Sequence, residues 1–308
     1  MNNDQTSVDV VIPSYRPDEK FSRLVKKLQE QEYPIGTIFV INTKAGRFPK
    51  EVEQMEKVKV YHIERREFDH GATRDMGMQR SKAEIVVFMT QDAVPADEYV
   101  IGNLVKVLEE DEMTGAAYAR PLAASDCNYI EKYTRKFNYP ENSRIKSKED
   151  LQEMGIKTFF CSNVCAAYKR NIYEKAGGFC KKTIFNEDMI LAGHMINAGY
   201  KVAYVAEARV IHSHNYTGMQ QFHRNFDMAV SQAEHPEVFD GIKSENEGIK
   251  LVKQTAAHLV KQRKIYMVPK LVYQSGCKYI GYRMGKMYKK LPDKVVKWCS
   301  MSPGYWEK

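Results

Sequence analysis

Ile85-Val86-Val87-Phe88-Met89-Thr90-Gln91-Asp92 is a run of five apolar residues that stops on three polar ones. A strand with one wet face alternates apolar and polar residues. An unbroken apolar run suits a strand covered on both faces, as in a parallel sheet. Upstream, 8–12 runs into Pro13-Ser14-Tyr15-Arg16-Pro17, and further strands are expected at 37–42 and 58–63. Helical patterns separate them. Phe21, Leu24, Val25 and Leu28 recur at the helical period, and further helices are expected at about 72–81 and 98–110. Strands and helices alternating over short links predict an α/β fold, a doubly wound, mostly parallel sheet flanked by helices.

Downstream the pattern loosens. A strand is expected at 116–120, a long charged and aromatic surface excursion at about 125–155, and an extended stretch at 158–168. Asn186 is placed as the N-cap of a helix that carries Glu187 and Asp188 in its first turn and ends near Gly199. Two strands, 202–205 and 209–212, and a helix at 220–232 come next. From 248 the chain reads as a separate tail, so the expected domains are 1–247 and 248–308. In that tail Tyr273, Cys277, Ile280, Met284, Tyr288 and Leu291 fall three and four residues apart and share a helix face, with Lys278, Lys286, Lys289 and Lys290 off it.

The net charge is +8, yet from Lys250 onward 14 Lys and Arg face 2 acids, which leaves the rest of the chain at −4. A nucleic-acid binder would be basic around its sheet edge, so nucleic acid is not an expected partner. The lysines interleave with Tyr266, Tyr273, Tyr279, Tyr282, Trp298 and Trp306. Such a helix either lies on an anionic membrane surface, or packs on the catalytic domain or in a homodimer. No apolar run reaches 18 residues, and residues 1–7 lack the pattern of a signal peptide. The expected location is therefore cytoplasmic, peripheral on the inner face of the plasma membrane. Cys161 and Cys165 sit among small and aromatic residues and read as buried thiols.

Ligands of open parallel sheets bind beyond the carboxyl ends of the strands. Pro13-Ser14-Tyr15, Asn42-Thr43-Lys44, Phe68-Asp69-His70-Gly71 and Gln91-Asp92 all fall there. Such polar clusters suit a nucleotide, while the absence of GxGxxG and P-loop motifs excludes the common dinucleotide and phosphate loops. Asp92 is positioned to hold Mg²⁺ or Mn²⁺ on a diphosphate, or to serve as a turn or cap residue. His212 and His214 would share one strand face, as metal or phosphate ligands or as ordinary polar histidines. Glu187-Asp188 offers a carboxylate for removing a proton from a hydroxyl, or charge complementarity to a helix N-terminus. Arg66, Arg74 and His70 would pair with a diphosphate, or form a solvated cluster with the nearby acids.

Taken together, VVIPSYRP at 10–17, FDHGATRDMG at 68–77, VVFMTQDAVP at 86–95, FFCSNVCAAYKR at 159–170, NED at 186–188, VIHSHNYT at 210–217 and FHRNFD at 222–227 carry a resemblance. The chain resembles the family-2 inverting glycosyltransferases of the GT-A fold, and more narrowly the bacterial rhamnosyltransferases that use dTDP-L-rhamnose. The resemblance implies that Pro13, Ser14 and Tyr15, with Asn42 and Thr43, line the nucleobase and ribose. It implies that Phe68, His70, Gly71 and Arg74 border the base, sugar and phosphates of the donor. Asp92 would hold Mg²⁺ or Mn²⁺, His212 or His214 would complete the shell, and Gln91 fills a slot where many relatives carry another acid. Asp188 would be the catalytic base with Glu187 beside it, and Ser162, Asn163 and Cys165 would lie toward the sugar or acceptor. The implied partners are the nucleotide-sugar donor and a polysaccharide or lipid-linked glycan acceptor, the alternatives being a UDP-hexose or UDP-amino-sugar donor on the same fold, or a non-catalytic nucleotide- or glycan-binding module. Where much of the superfamily ends its second strand in Asp, this chain has Asn42-Thr43-Lys44.

Overall fold

The computed structural model describes residues 5–242 and 245–307. The chain forms two compact units, each assembled from separated segments. One takes the chain up to Ala124, Tyr139–Lys182 and Glu187–His212; the other takes Ser125–Asn138, Thr183–Asn186 and the chain from Ser213 onward. The second unit therefore begins well upstream of residue 248.

The first unit is built on nine strands: β1 (Val8–Tyr15), β2 (Ile38–Thr43), β3 (Val58–Ile63), β4 (Ile85–Met89), β5 (Val94–Pro95), β6 (Thr114–Leu122), β7 (Arg144–Lys146), β8 (Cys165–Lys169) and β9 (Lys201–Ile211). Their order is β3-β2-β1-β4-β8-β6-β9-β5, with β7 paired to β9. β1, β2, β3, β4, β6 and β9 run one way, while β5, β7 and β8 run the other. The sheet is thus mixed but mostly parallel. Every residue of β2 and β4 is buried, as their unbroken apolar runs require.

The helix Glu19–Gln29 shows the local logic. Asp18 Oδ1 accepts from the amides of Lys20 and Phe21 at 3.0 and 3.3 Å, an N-cap, with Lys26 and Lys27 in the last turn. Phe21, Leu24, Val25 and Leu28 are buried in the core with Val10, Ile12, Val87 and Met89. Each such side chain contributes about 1.5–3 kcal/mol by leaving water.

One expectation is sharpened and two are corrected. The 125–155 stretch does run over the surface, with only Cys127, Ile130 and Lys146 buried, but it is structured, as a helix at Tyr129–Asn138, the strand β7 and a short helix at Leu151–Met154. Residues 158–168 are not one extended stretch, because a 3-10 turn over Gly155–Phe159 precedes β8. The two strands expected at 202–205 and 209–212 are one strand, β9, whose pairing with β6 slips between Ala119 and Arg120. At that slip the Ala206 amide donates to Ser143 Oγ at 2.7 Å, so the bulge keeps its hydrogen bond.

In the second unit the long helices Gly218–Glu234 and Val268–Lys286 pack together. Their contact line is set by glycine. A Cβ on Gly281 would lie 2.2 Å from the Phe222 carbonyl oxygen, and one on Gly285 would lie 2.3 Å from that of Phe226. The tail helix therefore docks along the face expected from spacing, with Gly281 and Gly285 on that face letting the backbones approach. Cys277, Met284, Tyr288 and Leu291 do pack against Phe222, Phe226, Val230 and Val296. Tyr273 and Ile280, from the same expected face, stay more than half exposed. No described helix is long and apolar enough to cross a membrane.

Candidate active site

The parallel strands bring the expected residues to one edge of the first unit. β1 ends on Pro13-Ser14-Tyr15 and β2 on Asn42-Thr43, in register, with Ser14 opposite Asn42 and Tyr15 opposite Thr43. Ser14 Oγ donates to Asn42 Oδ1 at 3.0 Å, and the Asn42 amide nitrogen lies 3.0 Å from His62 Nδ1. Asn42 is buried and both ends of its amide are engaged within the protein. Its place in the site is thus to brace Ser14. Tyr15 keeps an exposed ring, with the Arg16 guanidinium 5.3 Å from its centroid.

Gln91 comes after β4 and reaches back to β1. Its Oε1 accepts from the Tyr15 amide at 2.8 Å and its Nε2 donates to the Tyr15 carbonyl at 3.0 Å. Only a carboxamide satisfies both groups, because a carboxylate cannot donate. This accounts for the amide in a slot where an acid was the alternative: Gln91 holds the end of β1 rather than a cation.

Asp92, next in the chain, meets His212 at the end of β9, with His212 Nε2 3.5 Å from Asp92 Oδ1. His212 is buried and Asp92 is partly open. Two ligands each about 2.1 Å from a shared ion sit roughly 3–3.5 Å apart, so the pair fits a divalent cation. A nitrogen donor suits Mn²⁺ better than Mg²⁺, which favours oxygen alone. His214 lies two residues further on, where the second unit begins.

The third-strand cluster is anchored by the helix His70–Arg80. Asp69 caps it, accepting from the amides of Gly71 and Ala72 at 3.0 and 2.9 Å. Gly71 is required by packing, since a Cβ there would lie 1.8 Å from the Cys180 carbonyl oxygen. Phe68 and His70 are half-buried and meet edge to face. Arg74, one turn on, bonds the His70 carbonyl at 2.9 Å and Glu187 Oε1 at 3.0 Å, and both charged side chains are more than nine-tenths buried.

That ion pair organises the two acids. Asn163, just before β8, donates its backbone amide to Asp188 Oδ2 at 2.9 Å and its side-chain amide to Glu187 Oε1 at 3.2 Å. Tyr168 fixes Asn163 in turn, donating to its Oδ1 at 2.9 Å. Burial alone would raise the Glu187 pKa, but Arg74, His70 and the Asn163 amide outweigh it and hold the carboxyl below its usual range. The balance is reversed at Asp188. Burial, and then the neighbouring Glu187 charge, outweigh the Asn163 amide and Arg74 and push it up to about 7. Two adjacent carboxyls driven apart in this way have the chemistry that acid–base work near neutral pH requires.

Of the residues expected toward the acceptor, Ser162 and Asn163 lie at this site's wall, while Cys165 is buried in the apolar core beside Met89. Cys161 and Cys165 are free, buried thiols, as expected. Asn186 precedes the acidic helix with φ of 64° and donates to the Met228 carbonyl at 3.2 Å. Tyr168 and Lys146 were not singled out from the sequence. Tyr168 sat within a quoted motif, but nothing in the spacing around Lys146 marks it.

Comparison with known proteins bears on the family and the fold. Residues 9–177 match the model of "Glycosyl transferase family 2". The chain is 35% identical over 304 residues to the O-antigen chain rhamnosyltransferase RfbN of Salmonella typhimurium, covering 97% of this chain and 96% of that one. It is 33% identical over 305 residues to the O-antigen chain rhamnosyltransferase WbaN of Salmonella anatum, with the same coverage. Among solved structures, the mannosyltransferase PcManGT from Pyrobaculum calidifontis, in complex with GDP-Man and Mn²⁺, aligns with a TM-score of 0.59 at 15% identity, over 98% of this chain and 85% of that one. S. aureus TarS 1–349 in complex with UDP-GlcNAc aligns with a TM-score of 0.54 at 11% identity, over 92% and 91%. These likenesses show a shared GT-A-like fold.

Proposed function

From the premise that this chain belongs to glycosyl transferase family 2, we propose that it transfers L-rhamnose from dTDP-L-rhamnose to a hydroxyl of a glycan acceptor in cell-surface polysaccharide synthesis. The observation that carries the chemistry is the split between Glu187, ionised against Arg74, and Asp188, raised to about 7. Asp188 takes the acceptor's proton as the sugar carbon is attacked from the face opposite the departing diphosphate, and the product is inverted. Glu187 and Asn163 hold Asp188 in place. Tyr15 and Ser14 receive the nucleobase and ribose. Arg74 Nε and Thr43 Oγ1 are buried with no hydrogen-bond partner among the described residues, which supports a polar ligand at this edge.

Asp92 and His212, with His214 two residues along the chain, are proposed as the ligands of Mn²⁺ or Mg²⁺. A cation bound there supplies charge neutralisation to the departing diphosphate. The test is turnover across nucleotide sugars. We expect hydrolysis and transfer with dTDP-L-rhamnose, lost on chelation and restored best by Mn²⁺. Turnover of a UDP-hexose with none of dTDP-L-rhamnose would overturn the donor assignment.

We further propose that the second unit rests on the inner membrane surface, where a lipid-linked acceptor is held. Ile265, Tyr266, Val272, Tyr279, Ile280 and Trp298 are all more than half exposed, among exposed Lys270, Lys289 and Lys290. Each basic residue near an anionic bilayer contributes about 1 kcal/mol. Changing Lys270, Lys289 and Lys290 to Glu together should abolish flotation with anionic liposomes. Unchanged flotation, or burial of this face in a stable dimer by sedimentation, would remove the proposal.

A further inference from the structure

Among the described strand residues, Lys146 is a lysine that points inward. In β7 the usual order is inverted: Ile145 is 48% exposed while Lys146 is 2% exposed. No carboxylate among the described residues pairs with its ammonium. The ammonium donates instead to the carbonyl of Lys157 at 3.3 Å and to that of Phe160, and lies 4.9 Å from the centroid of the Tyr118 ring. Its donors thus meet two backbone carbonyls and an aromatic face. The carbonyls belong to the end of the 3-10 turn Gly155–Phe159, where the Lys157 carbonyl also accepts from the Phe160 amide at 3.1 Å and backbone oxygens carry partial negative charge.

Burying an ion without a counter-ion is unfavourable, and an apolar side chain would fill the same space without that cost. An apolar side chain could not fasten two carbonyls. Immediately after those carbonyls the chain runs through Cys161 and Ser162 to Asn163. The Asn163 amides are the groups that hold Asp188 and Glu187. Tyr168 closes the far side, bonding Asn163 Oδ1 at 2.9 Å and approaching Cys161 Sγ at 3.4 Å. Lys146 and Tyr168 therefore grip the two ends of one short segment.

We propose that Lys146 is a positioning residue for sugar transfer: by fastening the carbonyls of Lys157 and Phe160, its ammonium sets the segment that presents Asn163 to Asp188 and Glu187. This rests on Asp188 being the base. The ionised groups that bear on Lys146 are Asp150 and Arg144, with the neutral Cys161 thiol beside it. Desolvation lowers its pKa to about 7, so its charge is lost as the medium becomes alkaline.

The test compares Lys146→Met and Lys146→Gln with wild type in the full-length enzyme. Lys146→Met should lower kcat by about 10- to 100-fold with donor KM within about threefold, because the acids are misplaced while the donor edge is intact. Its urea midpoint should not fall, and the alkaline limb of the wild-type kcat profile should vanish. Lys146→Gln, which restores one donor, should recover part of kcat. A wild-type kcat and pH profile in Lys146→Met would overturn the proposal, as would a stability loss with kcat per folded molecule unchanged. If neither variant is recovered folded, hydrogen exchange in wild type decides. Protection of the Asn163 amide should fall between about pH 6 and 9 as the ammonium is lost, and constant protection overturns the idea. Failure of the base assignment reads out separately, as full activity in Asp188→Asn with Lys146 intact.

Discussion

Asp188→Asn is expected to lower rhamnosyl transfer by about 10²–10⁴-fold, the usual share of a positioned base, while donor affinity changes little. The carboxyl's oxygens accept from the amides of Asn163 and Met189 rather than from the residues that end β1 and β2. Those two bonds survive in part with an amide, so the variant should fold. The pH dependence has a definite sign. Asp188 must be ionised to accept a proton, and its pKa is raised to about 7, so the acid limb of kcat should rise with pH toward neutrality, with any alkaline fall left to Lys146. The same shift acts on stability. Because the folded pKa lies above the unfolded value, the folded state binds the proton more tightly. That contribution is full below the unfolded pKa of about 3.9 and is lost as pH rises through the folded one. Asp188→Asn should therefore raise the urea midpoint at neutral pH, with the gain gone in acid. A variant as active as wild type, or one whose stability gain is independent of pH, would falsify the assignment.

Arg74→Met is expected to be the most destabilising single change at the site, by about 3–5 kcal/mol. The pair it breaks is buried on both sides, with Arg74 and Glu187 side chains 6% and 8% exposed at 3.0 Å. Removing the guanidinium leaves the Glu187 carboxylate buried beside Asp188 without its ion-pair partner. Urea unfolding measures the loss. The double variant Arg74→Met with Glu187→Leu removes both charges and should regain most of the stability, since apolar pairs replace buried ion pairs at little cost. It should not regain activity, because Asp188 would lose the neighbouring charge that helps set its pKa. A loss under about 1 kcal/mol for Arg74→Met would show that the pair is not energetically coupled.

Much of the sheet was legible from apolar runs, unbroken in β4 and interrupted by Lys59 and His62 in β3. The strand 58–63 and the strand Ile85–Met89 stand where the sequence puts them. The donor edge was legible for the same reason: polar residues that end buried strands in a parallel sheet must lie together. What was not legible depends on partners far along the chain. The role of Gln91 needs the Tyr15 backbone, and the raised pKa of Asp188 needs Glu187 to be claimed by Arg74. Lys146 breaks the rule used to read strands, since the charged residue is inside and Ile145 is outside. In the tail, spacing among large apolar residues suggested the packing face, but not that Gly281 and Gly285 on it let the backbones approach.

The threading of the two units bears on how such a protein can be cut or recombined. The helical unit draws on Ser125–Asn138 and Thr183–Asn186 as well as on the chain from Ser213. No single cleavage or fusion point separates it from the sheet, and its second piece ends at the residue immediately before Glu187. A deletion of everything after 248 would not liberate a trimmed enzyme; it would strip the helix Val268–Lys286 off Gly218–Glu234 and bare Phe222 and Phe226. The helical half therefore cannot be an interchangeable attachment acquired by joining ends. Swaps between relatives should succeed as whole chains and fail as halves.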